Sequence, residues 1–281
     1  MGMLYLCATP IGNLSDMSPR IIETLKQVDL IAAEDTRNSI KLLNHFEIHT
    51  PMTSYHEYNK VEKAYTLIEK MRSGADVALI TDAGTPAISD PGEVLVKMCQ
   101  EAGITVTSLP GPVACITALT LSGLNTRRFC FEGFLPADKK ERAQVLDDLK
   151  NEKRTILLYE APHHLKKTLS VLYETLGERS ITICRELTKK FETVMPTTLA
   201  DALVYYESNE PRGEYVLVLE GRSVEEIEAE KQKSFEEMAI EDHMEMYEKQ
   251  GFDQKEAMKK VAKDRGITKR DVYQYLLNVK K

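Results

Sequence analysis

The chain has 281 residues, of which 42% are hydrophobic and 29% are charged, and its formal net charge is −7. That length allows two domains of ordinary size and a small third one, and the composition is typical of a soluble globular protein. The acidic balance argues against a protein covered with nucleic acid over its whole surface. Because no apolar run is long enough to cross a bilayer and no basic leader precedes the first strand, we expect a cytoplasmic protein with no membrane partner.

Five cysteines are scattered along the sequence, mostly within apolar runs. No two of them have the spacing of a metal site or of a redox motif, and the histidines show no metal-binding pattern either. Isolated cysteines in apolar segments are typical of buried packing positions. The sequence therefore predicts a reduced protein without a metal site.

Strand and helix patterns alternate through the first part of the chain. Ser18 and Pro19 begin the first helix, as an N-cap and as the proline favoured at the next position. Strands are predicted at 3–8, 29–33, 50–55, 76–80 and 104–109. Because alternating strands and helices form βαβ units, the pattern predicts a largely parallel sheet.

The loop after the strand at 76–80 is the most informative part of the chain. It runs Thr-Asp-Ala-Gly-Thr-Pro-Ala-Ile-Ser-Asp over residues 81–90, whereas such connections usually need about two to six residues. Asp90, Pro91 and Glu93 have the pattern of a capped helix start, with Asp90 as the N-cap. Loops at the carboxyl ends of strands form the ligand crevice of an open α/β sheet, so we expect a binding site here.

A second α/β series begins after a break at residues 123–128. Its strands are predicted at 129–134, 154–159, 180–184 and 214–220, and its helices at 138–151, 162–175 and 198–207. After Gly221 the character changes, and residues 224–248 suit one long acidic helix. We therefore expect two α/β domains over 1–122 and 123–222, followed by a helical extension over 223–281.

The extension has the pattern of a helix-turn-helix. One helix starts at Asp253 and another at Thr268, with a turn at Gly266 between them. From Lys249 to Lys281 the sequence has ten Lys or Arg against four Asp or Glu, in contrast to the acidic remainder. Charge asymmetry of this kind indicates a basic appendage on an acidic body.

Basic side chains on these helices suit the phosphates of an RNA backbone. Lys255, Lys259 and Lys263 recur every four residues and so share one helix face, and Lys269 and Arg270 follow in the next helix. Such groups supply affinity without reading sequence. Two tyrosines of the last helix are suited to stacking on unpaired bases, Tyr273 and Tyr275.

Several short segments together resemble one family. They are residues 9–16, Ala33-Glu34-Asp35-Thr36-Arg37, residues 81–92, Leu109-Pro110-Gly111-Pro112, residues 158–164 and Gly213-Glu214-Tyr215-Val216. In combination they make the chain similar, over nearly its whole length, to the ribosomal RNA methyltransferases of the tetrapyrrole-methylase superfamily. The resemblance implies two α/β domains of the tetrapyrrole-methylase type with S-adenosylmethionine in the cleft between them, and a C-terminal helix-turn-helix extension.

The resemblance also implies a reaction and partners. The reaction is methylation of a cytidine ribose 2′-hydroxyl in the decoding centre of 16S rRNA in the small ribosomal subunit, and relatives are usually homodimers. The residues implied at the cofactor are Pro10, Asp82, Gly84, Thr85, Gly111, Pro112, Tyr159, Glu160 and Ala161. Among these, Gly84 permits close approach of the backbone.

Methyl transfer from a sulfonium is helped mainly by alignment, because the leaving group is already activated. A base is expected to accept the hydroxyl proton, and the candidates are Glu34, Asp35, His56, Glu57 and Asp82. Because Glu34 and Asp35 follow a strand, we expect at least one of them to face the crevice. Arg37 is suited to orienting an RNA phosphate or to stabilising a developing alkoxide.

Two other functions fit parts of the sequence. One is a tetrapyrrole methylase of the cobalamin or sirohaem route, and the basic extension argues against it because a small anionic macrocycle needs no such appendage. The other is a helix-turn-helix regulator that binds duplex DNA and carries an α/β sensor domain. The crowded loops at the strand ends argue against a regulator, since a sensor seldom needs so many special turns.

Overall fold

The computed structural model describes residues 1–279, and the last two lysines of the predicted basic extension, Lys280 and Lys281, lie outside the described residues. The chain forms two compact units. The first comprises residues 1–146 and 155–220 and contains both β-sheets. The second comprises residues 147–154 and the segment that starts at Gly221, and it is helical. No described helix has the length and apolar character needed to span a membrane.

The first sheet is parallel throughout, as predicted. Its strands are β1 (Leu4–Cys7), β2 (Leu30–Ala33), β3 (Met52–Ser54), β4 (Val77–Ile80) and β5 (Val106–Leu109), in the order β3-β2-β4-β1-β5. Its helices are α1 (Pro19–Gln27), α2 (Thr36–His45), α3 (Lys60–Arg72) and α4 (Glu93–Glu101), and a short 3-10 helix (Leu14–Asp16) precedes α1. The next helix, α5 (Ala114–Leu121), packs against the second sheet instead. All four residues of β4 are buried, because helices cover both faces of a parallel sheet.

The second sheet is mixed. Its strands are β6 (Phe129–Phe134), β7 (Thr155–Glu160), β8 (Ser180–Arg185), β9 (Thr193–Thr198) and β10 (Tyr215–Leu219), and its helices are α6 (Lys139–Leu149), α7 (Pro162–Leu176) and α8 (Leu199–Ser208). The strand order is β6-β7-β10-β8-β9. β6 and β7 run parallel, whereas the other neighbouring pairs are antiparallel.

The second α/β series is therefore not parallel like the first, and the sequence analysis missed β9. β9 contains Pro196, which has no backbone N–H to donate to a neighbouring strand. Proline therefore favours a strand at the edge of a sheet. β9 does lie at the sheet edge, where it pairs with β8 alone. The centre is taken by β10, whose five residues are all buried. The order of the strands in this sheet thus differs from their order in the chain, and three of its four neighbouring strand pairs are antiparallel.

The predicted N-caps of α1 and α4 have different outcomes. The hydroxyl of Ser18 caps α1 as predicted. α4 begins at Glu93 with Gly92 at the N-cap position and no side-chain cap, so the prediction that Asp90 caps this helix is wrong. Close packing of the loop explains the glycine, because an added Cβ at Gly92 would lie 2.7 Å from the Cβ of Ala87.

The second unit contains α9 (Val224–Glu237), α10 (Ile240–Lys249), α11 (Gln254–Asp264) and α12 (Lys269–Val279). The predicted single helix over 224–248 is wrong, because Met238 and Ala239 are extended and separate α9 from α10. The guanidinium of Arg265 donates to the carbonyl of Met238. That contact satisfies an acceptor that the end of a helix leaves free, and it stabilises the break.

The predicted helix-turn-helix is confirmed in α11 and α12. Asp253 caps α11. Thr268 and Asp271 exchange hydrogen bonds at the start of α12 as a capping box. Gly266 lies in the turn with a φ of +64°, a conformation that favours glycine.

A buried histidine lies at the centre of this unit. His243 is fully buried, its Nδ1 accepts a hydrogen bond from Nε of Arg265 at 3.2 Å, and its ring stacks between Phe235 and Tyr247. Burial, followed by the positive charge of Arg265, lowers the pKa of His243, and Asp264 opposes this in part. The native unit therefore binds a proton at His243 less readily than an unfolded chain does.

We predict that the helical unit loses stability as the pH falls below about 6.5, the pKa of a histidine in an unfolded chain. Below that value the unfolded chain binds a proton more readily than native His243 does, so stability present at higher pH is lost. H243Q keeps an acceptor for Arg265 but does not titrate, so it should flatten this dependence. Protection factors for hydrogen exchange in α10 and α11, measured from about pH 7.5 to 5.5, test this.

The exposed His163 offers a control, since H163Q should leave the pH dependence as it is in the wild-type protein. The same slope in H243Q and in the wild-type protein would contradict the prediction.

Candidate active site

A cleft of about 460 Å³ lies in the first unit, where strands of both sheets end. One wall is formed by Glu34 after β2 and by most of residues 82–90 after β4. The other wall comes from the ends of β6 and β7 and from the start of β10. The volume falls within the range of small-molecule sites, about 300–1,000 Å³. The predicted crevice at the carboxyl ends of the strands is thus present.

Hydrogen bonds tie the loop after β4 to the loops after β1 and β5. Thr9 and Gly84 exchange two backbone hydrogen bonds, of 2.8 and 3.0 Å. The Thr9 hydroxyl donates to the Thr81 carbonyl at 3.1 Å. The Thr85 hydroxyl donates to the Pro112 carbonyl at 3.0 Å. Gly84 has a φ of +86°, so a glycine is needed where the loops meet.

The residues expected at a cofactor divide into two groups. Those that line the cleft are Asp82, Gly84, Thr85, Tyr159, Glu160 and Ala161. Pro10, Gly111 and Pro112 lie outside the lining. Gly111 serves packing, because an added Cβ would lie 2.6 Å from the Cβ of Ala8. Pro112 anchors Thr85, as described above.

Five acidic residues line the same cleft: Glu34, Asp82 and Asp90 on one wall, and Glu160 and Glu214 on the other. The Thr81 hydroxyl donates to Oε2 of Glu34 at 2.6 Å, and Nδ2 of Asn38 donates to Asp82 at 3.0 Å. Burial raises the pKa of Asp90, a hydrogen bond with Thr81 opposes the rise, and the charges of Glu34 and Asp82 add to it. The cleft therefore favours cations and disfavours anions.

Asp90 is a cleft residue that the sequence analysis missed, because its position suited a helix cap. The sequence did contain a signal that Asp90 is not the cap, because Gly92 is a second possible N-cap immediately before Glu93. Glycine is an accepted N-cap residue, and its choice here leaves the Asp90 carboxylate facing the cleft.

The other predicted catalytic residues lie outside the cleft lining. Asp35 caps α2 and accepts two hydrogen bonds from the Arg37 guanidinium, at 2.7 and 3.0 Å. The hydrogen bonds from Arg37 lower the pKa of Asp35 to about 2, so its carboxylate is a weak base. The Arg37 side chain is 88% exposed. His56 lies after β3, and Glu57 forms a surface ion pair.

Tyr159 is the centre of the opposite wall. Its hydroxyl accepts a hydrogen bond from the backbone nitrogen of Cys115 at 3.2 Å, and burial raises its pKa. The rings of Phe131 and Phe134 pack edge-to-face against it. Phe134 lines the cleft and is a second residue that the sequence analysis missed.

Apart from Arg37, which lies in the first unit, the predicted RNA-binding cations belong to the second unit. All of them are exposed, namely Lys255, Lys259 and Lys263 on α11 and Lys269 and Arg270 on α12. Lys260 differs, because its ammonium group packs over the Phe252 ring at 4.3 Å. Tyr273 and Tyr275 are 52% and 42% exposed.

The fold and its cleft define a methylase class. The family model described as Tetrapyrrole (Corrin/Porphyrin) Methylases matches residues 3–203. A crystal structure of diphthine synthase superposes with a TM-score of 0.64 at 14% identity, covering 79% of this chain and 91% of that one. A uroporphyrin-III-C-methyltransferase from Thermus thermophilus superposes with a TM-score of 0.55 at 18% identity, covering 78% and 94%. At these identities the structural likeness concerns the fold.

Curated relatives match almost the whole chain. The ribosomal RNA small subunit methyltransferase I of Bacillus subtilis (strain 168) is 48% identical, over 97% of this chain and 93% of the relative. The protein of that name from Synechocystis sp. (strain ATCC 27184 / PCC 6803 / Kazusa) is 48% identical over 99% of both chains. The chain therefore belongs to the tetrapyrrole methylase family and, within it, to the ribosomal RNA small subunit methyltransferase I family. It is a methyltransferase that uses S-adenosylmethionine, which confirms the predicted class, fold and cofactor.

The cleft residues fit S-adenosylmethionine. Its positively charged amino group requires acceptors, and the carboxylates of Asp82 and Asp90 would supply them. Gly84 has no side chain between the loop backbone and the cleft. The adenine requires apolar contacts, and Val113 and Val216 of the cleft lining would provide them.

We predict that G84A weakens S-adenosylmethionine binding on the order of tenfold, because the added Cβ would lie 3.3 Å from Cγ2 of Ile11 and strain the loop. G74A is a matched control. Gly74 also has a positive φ, +105° against +86° for Gly84, but lies in the turn before β4. Both variants should lose on the order of 1 kcal/mol of stability, and G84A alone should lose affinity by calorimetry. Equal affinity in the two variants would contradict this assignment.

Proposed function

We propose that this enzyme methylates the ribose 2′-hydroxyl of a cytidine in the decoding centre of 16S rRNA. Relatives named ribosomal RNA small subunit methyltransferase I support it, at 48% identity over 97% and 99% of this chain. The exposed lysines of α11 also suit a polyanionic substrate. The partner in this proposal is the small ribosomal subunit, which places the enzyme in the cytoplasm. The resemblance also implies that the enzyme forms a homodimer, and analytical ultracentrifugation of the purified protein tests this by measuring its mass in solution.

The observation that carries the proposal is the carboxylate-lined cleft. Glu34, Asp82 and Asp90 repel phosphates from it, so the neutral ribose and base of a nucleotide enter and the phosphates stay outside. Arg37 follows Glu34 by three residues and is exposed. We assign its guanidinium to an RNA phosphate, with Asp35 holding it in place.

Glu34 is the proposed proton acceptor. S-adenosylmethionine supplies, when bound, a methyl group on a positively charged sulfur that is already an activated leaving group. The protein has to align the ribose hydroxyl and accept its proton. Within the described residues, the hydrogen bonds that Glu34 accepts fall on Oε2, from the Thr81 hydroxyl and the Asp82 backbone nitrogen. Oε1 is therefore available, and the hydroxyl proton moves there as the ribose oxygen gains its methyl group.

Asp35 is less suited to this step, because its carboxylate pairs with Arg37 and its pKa of about 2 makes it a weak base. His56 lies outside the cleft lining and has no step in this proposal. In this proposal the two adjacent acidic residues have different roles: Glu34 in the cleft accepts the proton, and Asp35 caps α2.

We predict that E34Q lowers kcat by roughly 10²- to 10⁴-fold, the usual contribution of a positioned base. The substitution keeps the acceptor for Thr81 but removes the basic carboxylate, so the Kd for S-adenosylmethionine should stay near the wild-type value. Single-turnover rates and calorimetry measure the two quantities. E57Q, at a surface ion pair, is the control and should leave both unchanged. Wild-type kcat in E34Q would remove Glu34 from the mechanism.

We predict that replacing Lys255, Lys259 and Lys263 together by Ala weakens binding to small ribosomal subunits. The slope of log K against log salt concentration should fall by about 2, since each phosphate contact to a single strand contributes about 0.7. The control replaces Lys231 and Lys233 by Ala, because both are exposed on α9. Filter binding over a range of salt concentrations measures the slope. Equal slopes in the two variants would contradict a specific role for α11.

The proposed function itself is tested by transfer of labelled methyl from S-adenosylmethionine to small subunits from a strain lacking this protein. Label on the 2′-oxygen of a decoding-centre cytidine supports the proposal. Label at another position, or none despite measured cofactor binding, contradicts it. A porphyrinoid macrocycle is the second substrate to offer, because the fold is shared with a uroporphyrin-III-C-methyltransferase.

A further inference from the structure

The strand that ends at the cleft mouth contains a β-bulge. Phe131 and Gly133 of β6 pair with consecutive residues of β7, so Glu132 is an extra residue between them. Gly133 has a φ of +63°, which a bulge of this kind accepts and most other residues avoid. An added Cβ there would have Ser89 Oγ as its nearest neighbour, at 3.7 Å. Conformation rather than space therefore requires the glycine.

The bulge changes the face on which Phe134 lies. Side chains alternate along a regular strand, so Phe131 and Phe134 would point to opposite faces. With the extra residue, Phe131 pairs with Leu157 and Phe134 with Tyr159, which share a face of β7. Both rings then contact Tyr159, with centroid distances of 4.9 and 5.6 Å. Bulges near active sites commonly re-aim a side chain in this way.

Phe134 gains little burial from this arrangement. It lines the cleft and is nevertheless 58% exposed. Its edge-to-face partner Tyr159 is fixed by the hydrogen bond from Cys115, so the ring has a rigid support on one side. Ile88, on the loop after β4, also lines the cleft and is 47% exposed. A supported aromatic ring with one open face is suited to stacking on a flat ligand.

We propose that Phe134 is a positioning residue whose ring stacks on the target nucleobase, turned out of its RNA strand, while the ribose lies at the carboxylates. The inference rests on the proposed function. The acidic cleft excludes phosphates, so the base must enter with the ribose, and a flat base outside its own stack needs a new stacking partner. Every base has a π-face, so Phe134 fixes position and leaves the choice of cytidine to other contacts.

The test uses the full chain and small ribosomal subunits from a strain lacking this protein. F134A should raise the KM for subunits, and their Kd in filter binding without cofactor, by about tenfold. The Kd for S-adenosylmethionine should not change. F134W should restore both subunit constants, because it keeps an aromatic face. F191A is the matched control, since Phe191 is 64% exposed in the same unit but lies outside the cleft lining.

Other outcomes overturn the inference. Unchanged subunit affinity in F134A removes the stacking role, and a raised Kd for S-adenosylmethionine assigns the ring to the cofactor adenine. A changed sedimentation coefficient assigns it to a contact between two copies of the chain. If F134A does not fold, F134L replaces it, because leucine keeps apolar volume without the ring. A wild-type protein that binds subunits but leaves their RNA unmethylated refutes the proposed function, whereas failure of the stacking role alone leaves that function intact.

Discussion

The backbone pairing of Thr9 with Gly84 is the constraint on which the cleft depends. It joins the loops after two adjacent parallel strands, and the positive φ of Gly84 makes the close approach feasible. With the loop after β4 fixed in this way, Asp82 and Asp90 face the same space as Glu34, which comes from a different strand end. Acidic groups from two distant segments of the sequence are thus brought together by backbone contacts before any ligand binds.

Features that depend on a few neighbouring residues were predictable from the sequence. The parallel sheet follows from regular alternation, and the helix starts at Ser18, Asp253 and Thr268 follow from side chains that cap a backbone three residues away. The long loop after β4 was also recognisable, because its length and glycine content exceed what a simple connection needs. The location of the cleft was therefore predictable from the sequence.

Features that depend on contacts between distant residues were not predictable. The break after α9 is stabilised by Arg265, which lies 27 residues from Met238. Asp90 and Gly92 were both suitable helix caps, and packing of the loop decided between them. At the end of β2, adjacent acidic residues looked equivalent in sequence. In the structure Glu34 lines the cleft, whereas Asp35 lies outside the cleft lining and caps α2.

The bulge at Glu132 has a consequence for how homologous sequences should be compared. Side chains alternate between the two faces of a strand, so inserting or deleting one residue moves every later side chain of that strand to the opposite face. In β6 the loss of a single residue would therefore change the packing more than most substitutions do, since it would turn every following side chain of the strand away from its present surroundings. Alignments that place a gap freely near Glu132 would pair residues of the same type that occupy opposite sides of the sheet.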